Sequence, residues 1–151
     1  MHLIVRYYIR TSILFLFAGV LLGFYFLLDN FWLGSGYPSI WVTAHVHVIL
    51  IGFVMMMIFG VAQWMFPRPA KEDVHYSPDR AAFIYYLLTI STGVRFILEL
   101  CSRWLAGAMI DYGITICAAL QILAFVFFFY NMWTRIRPLG SQIREQAGER
   151  F

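Results

Sequence analysis

Charge is what this chain has least of: Asp, Glu, Lys and Arg make up 13% of its 151 residues, while 62% are hydrophobic. Soluble domains carry roughly 25% charged residues, so a body surrounded by water is excluded, and the mean hydropathy of +0.74 agrees. Cysteine is scarce as well. Cys101 and Cys117 show no C-x-x-C spacing, which excludes a zinc knuckle or a heme attached through C-x-x-C-H and leaves two small apolar side chains. No glycine-rich phosphate loop, internal repeat or low-complexity tract is present. The formal charge of +3 and pI near 9.0 reside on segments that flank apolar runs, so they give no reason to expect a nucleic-acid partner.

What the chain does have is long apolar runs. A hydrocarbon core about 30 Å thick needs roughly 20 helical residues, and four runs qualify: about Ile13 to Leu28, Ile40 to Met65, Ala81 to Leu105 and Met109 to Trp133. Little is left outside them. The predicted fold is all-α, a polytopic membrane protein folded as one four-helix domain over residues 1–151. The first run lacks a convincing small-residue cleavage site behind it, so it reads as an anchor and not as a removable leader.

Basic residues set the expected orientation. Arg6 and Arg10 precede helix one, Arg68, Lys71 and Arg80 fall between helices two and three, and Arg135, Arg137, Arg144 and Arg150 follow helix four, while Arg95 and Arg103 belong to the opposite half. Short loops rich in Lys and Arg stay in the cytoplasm. Both termini are therefore expected inside, in the inner (cytoplasmic) membrane of a cell. Trp32, Tyr37, Trp41 and Trp64 suit the aromatic belts at the two interfaces.

The informative residues sit in helix two. His45 and His47 interrupt a stretch that runs through Gly52 and Gly60 to Met65 without a charge, and ionisable groups at membrane depth read as functional by default. At about 100° per residue, His45 shares a face with Gly52, Met56 and Gly60, whereas His47 points roughly 200° away. Two imidazoles so disposed cannot hold one ion from an unbroken helix; that needs i and i+4 spacing. Each histidine then serves its own centre. Small residues let something approach a membrane helix closely, so Gly52 beside a buried histidine suggests either a packed helix or a flat macrocycle ligated by His45, with Met56 as one option for a sixth ligand. In helix three, Arg95, Glu99 and Arg103 follow at i, i+4 and i+8. They form either a self-neutralised ladder or a guanidinium pair for heme propionates, with Glu99 orienting the arginines.

The pattern from Val42-Thr43-Ala44-His45 through Met55-Met56-Met57, Phe59-Gly60 and Trp64 to Phe66-Pro67-Arg68 resembles the second transmembrane helix of the catalytic subunit of heme-copper oxidases and nitric oxide reductases. The A-H-x-H-x-x-x-x-G-F run from Ala44 to Phe53 also resembles short four-helix proteins described as oxidase subunit I-like. The resemblance implies that His45 ligates a b-type heme near the outer face. It does not extend to a binuclear oxygen-reducing centre, because the chain has 4 histidines and His2 and His75 fall at the opposite side.

The expectation that results is a membrane-embedded heme b protein for electron transfer or gas-ligand chemistry, an oxidoreductase component and not a complete oxidase. His47 would be a second ligand, an interface hydrogen-bonder or a ligand of a second metal such as copper. One chain offers one axial imidazole, so a homo-oligomer, dimer or higher, or a respiratory-chain partner is expected. Two rival readings remain open: a non-catalytic structural or assembly subunit of a respiratory complex, and a copper or proton carrier using His45 and His47.

Overall fold

The computed structural model describes residues 3–67, 76–105, 107–136 and 148. His2, His75, Arg68, Lys71, Arg137, Arg144 and Arg150, which entered the reading of orientation and ligands, lie outside these residues. The described chain is all-helical. Helix α1 (Leu3–Leu28) continues into a π-helical turn, Asp29–Leu33; α2 (Ser39–His47), a π-helical segment (Val48–Met55) and α3 (Met56–Met65) form one continuous second rod; α4 (Pro78–Cys101) and α5 (Ala108–Met132) complete the bundle.

Four helical spans are long and apolar enough to cross a membrane: Leu3–Leu33, Ser39–Met65, Pro78–Cys101 and Ala108–Arg135. The architecture is that of a multi-pass membrane protein. The first span begins ten residues before the apolar run does, and it carries the exposed Arg6 and Arg10. Intrahelical hydrogen bonds need no apolar side chains, so a helix started in the bilayer continues into the interfacial layer.

Local sequence sets the ends. Asp29 is buried; its Oδ1 accepts from the Ser35 amide at 3.1 Å and from the Ser35 hydroxyl, and its Oδ2 accepts from the Gly36 amide at 3.0 Å. Gly34 and Gly36 adopt φ of 60° and 72°, left-handed values that a side chain disfavours. Pro38 then hands over to Ser39. At the opposite end Pro78 occupies the first turn of α4, where its missing N–H costs nothing, and the Ser77 amide donates to Asn131 Oδ1 at 3.1 Å.

The core lies nearer the second end. Tyr8, Met56, Phe59, Ile84, Leu88, Ala124, Phe128 and Met132 form one buried cluster. Phe59 of α3 stacks on Phe128 of α5 with centroids 3.6 Å apart and planes 5° apart. Arg135, buried just past α5, donates to the carbonyls of Gln63 at 2.9 Å, Phe66 at 3.0 Å and Pro67 at 2.9 Å. It thereby satisfies the orphan carbonyls at the end of α3.

Candidate functional site: two histidines facing different helices

The second rod packs antiparallel to α1, and the two exchange bulk for space. The His45 imidazole lies over Gly23, where an added Cβ would come within 2.9 Å of His45 Cε1; Phe15 lies against Gly52, at 2.8 Å from such a Cβ; Tyr8 does the same at Gly60. His45, Gly52 and Gly60 therefore all face α1, as the helical spacing predicts. The notch at Gly52 is taken by Phe15 of the same chain, so a macrocycle against that glycine would have to displace a phenyl ring.

His45 Nδ1 is 2.9 Å from the Gly19 carbonyl oxygen. A carbonyl only accepts, so Nδ1 carries the proton and Nε2 keeps an in-plane lone pair. Among the described residues Nε2 takes no hydrogen bond. The ring is half-buried and meets Phe26 edge-on at 5.8 Å. Gly19 and Gly23, which give this imidazole its seat and its acceptor, were not singled out from sequence; the Gly-x-x-x-Gly spacing in α1 is the signal that points to them.

His47 has different company. Its Nδ1 donates to Thr43 O at 2.8 Å, and Arg95 Nη2 of α4 lies 3.1 Å from its Nε2 and 3.4 Å from its Nδ1. Arg95 donates on every side: Nε to Glu99 Oε1 at 2.8 Å and Nη1 to Gln121 Oε1 at 2.9 Å. Gln121 in turn donates from Nε2 to Thr92 Oγ1 at 3.0 Å. The sequence marks Gln121 as polar within an apolar helix, yet only helix pairing reveals that it completes Arg95's fork.

Of the predicted ladder, Arg95 and Glu99 pair, whereas Arg103 stands apart. Exposed at the end of the bundle, Arg103 donates to the Gly36 carbonyl at 3.1 Å and sits 5.6 Å from the Trp41 ring centroid. It has no carboxylate partner among the described residues. Trp41 donates from Nε1 to Leu100 O at 3.0 Å, tying α2 to the end of α4 one turn beyond His45. Met56 is fully buried in the apolar cluster. At about 1.5 Å per residue it lies roughly 16 Å along the rod from His45, too far to share one iron with it.

No three His, Cys, Asp or Glu side chains converge among the described residues. Comparisons with protein-family models, with curated proteins and with solved structures find no match.

Proposed function

We propose that this chain binds a b-type heme through His45 Nε2 and serves electron transfer or diatomic-gas chemistry in the inner membrane, with both termini in the cytoplasm and a second copy or a respiratory partner completing the site. The observation that carries the reading is the 2.9 Å contact from His45 Nδ1 to Gly19 O. Ligating histidines commonly donate their other N–H to a carbonyl, which fixes the tautomer and makes the free nitrogen more basic. A cofactor that brings its own four donors asks the protein for only one or two more, which suits a chain whose imidazoles face apart.

Bound heme would supply a one-electron couple at iron. The chain's own residues orient the donor: Gly19 holds the tautomer, Gly23 admits the ring, and Phe26 flanks it. Arg103, without a carboxylate partner among the described residues and at the Trp41 end of the second rod, is the guanidinium suited to a propionate. Arg95 is already committed to Glu99, Gln121 and His47, so it acts as a positioning residue for His47. A second imidazole for the iron would have to come from another copy of the chain or a partner subunit, and the two-fold pairing of identical chains is the common arrangement.

An absorption spectrum of detergent-purified protein from heme-replete cells tests this. A Soret band that His45→Ala abolishes and His47→Ala retains is expected. A colourless preparation overturns the reading in favour of a structural subunit, and a band lost only in His47→Ala moves the ligand to that residue.

A further inference from the structure

Helix α3 has an apolar face turned away from the buried Met56, Phe59 and Gln63. Met57, Val61 and Met65 follow at i, i+4 and i+8 and so line one stripe, with Ile58 beside them. Phe66 then leaves the helix with extended backbone, φ −69° and ψ 147°. The bend at Phe66 and Pro67 closes one end of this face into a groove of about 550 Å³. That is the size of a small-molecule site, about 300–1,000 Å³. Among the described residues no charged side chain lines it.

Charge stands next door, on α1. Ser12 Oγ lies 3.9 Å from Met57 Sδ, and a Cβ added at Gly60 would meet Ile9 Cγ1 at 3.4 Å and the Val5 carbonyl oxygen at 3.6 Å. The antiparallel pairing therefore sets Arg6 and Arg10 level with the groove. Arg6 stands three residues before Ile9 and shares its side of α1, and Arg10 lies one turn from Arg6. Both are exposed, and neither has a carboxylate partner among the described residues. Among those residues this end of the bundle holds Arg6, Arg10, Arg80 and Arg135 against Asp79. An arginine on a membrane helix extends its stem along apolar surface and keeps its head in the headgroup layer, where an anionic phosphate is the complementary partner.

We propose that this groove is a binding site for an anionic phospholipid, with an acyl chain laid along Met57, Val61 and Met65 and the phosphate held by Arg6 and Arg10. The two parts of the site do different work. Hydrocarbon meets the apolar stripe whichever lipid is present, and the flexible thioethers of Met57 and Met65 adapt to its shape. The two guanidiniums choose among headgroups: a zwitterionic lipid brings its own ammonium group to compete for the phosphate, and an anionic one does not. The site lies at the opposite end of the bundle from His45 and involves no heme.

The test is native mass spectrometry of the full chain, purified in detergent and offered phosphatidylglycerol and phosphatidylcholine with identical acyl chains. One retained phosphatidylglycerol is expected, favoured about tenfold over phosphatidylcholine, the order that two basic residues give at a membrane surface. The preference should shrink as salt rises. Arg6→Gln combined with Arg10→Gln should erase it, and Val61→Trp, which fills the groove, should lower retention of both lipids. Equal retention of the two lipids by the wild type, or a preference indifferent to salt, overturns the proposal and leaves ordinary solvation by the bilayer. A preference that survives loss of both arginines overturns it by moving the headgroup elsewhere. A dimer that Val61→Trp dissociates, with no lipid retained by the wild type, overturns it in favour of a second copy of the chain. The salt series needs only the wild type, so a variant that fails to fold does not shield the proposal.

Discussion

The half of the bundle holding the histidines and the half ending at Arg135 are built from the same four spans, yet they bury polar groups in opposite ways. Near Arg135 the guanidinium goes mainly to backbone: the carbonyls of Gln63, Phe66 and Pro67 at the end of the second rod accept from it, with Met132 Sδ at 3.3 Å and the Tyr76 ring 5.0 Å away. Near the histidines Arg95 goes to side chains, one from each of α2, α4 and α5. A guanidinium on carbonyls closes a helix; a guanidinium on side chains from three helices ties those helices together. The third span, which carries Arg95 and Glu99, is also the least apolar of the four.

The sharpest way to break this comparison is Arg95→Leu. It leaves the buried Glu99 carboxylate without the Arg95 guanidinium that holds it and should cost about 3–5 kcal/mol; unfolding in mixed detergent micelles measures it. Adding Glu99→Leu should recover most of that loss, since removing a whole buried pair is far cheaper than removing half. Failure of the second change to rescue the first would mean that the pair is not the unit. In the other half Phe59→Ala should cost about 2 kcal/mol in the same assay. That is less than in a soluble core, because lipid is as apolar as the protein interior and only packing is lost.

Smaller effects separate the two glycine seats. Gly23→Ala places a methyl against the imidazole and should weaken the Gly19 carbonyl bond, costing about 1 kcal/mol; nitrogen-15 spectra of labelled histidine should report a disturbed His45 tautomer. Gly52→Ala pushes on Phe15 and should lower stability by about 1–3 kcal/mol while leaving that histidine spectrum in place. The smallest change expected is Ser35→Ala. Asp29 keeps two backbone donors, so the loss should stay near 0.5–1 kcal/mol.

Much of this was legible in the sequence and some was not, for definite reasons. The four spans follow from apolar length, and the divergence of His45 from His47 follows from helical spacing, because both depend only on residues near one another in the chain. The Arg95–Glu99 pair is likewise an i, i+4 relation. By contrast, Gly19 as His45's acceptor, Gln121 as Arg95's second acceptor and Phe15 in the Gly52 notch depend on which helices pair and how each is rotated. Arg103 looked equivalent to Arg95 by spacing, but α4 ends at Cys101, so its side chain reaches the neighbouring connection instead of the bundle interior. The π-helical segment Val48–Met55 has no glycine–serine pair or proline to announce it.

Arg135 has one more implication, for biogenesis. Its farthest acceptor, the Gln63 carbonyl, precedes it by 72 residues. During synthesis the second rod must leave the translocation machinery with its last carbonyls still hydrated, and this junction can dry out only after the final span has been delivered. A chain halted before residue 135 would therefore hold its earlier spans without the guanidinium that meets the Gln63, Phe66 and Pro67 carbonyls.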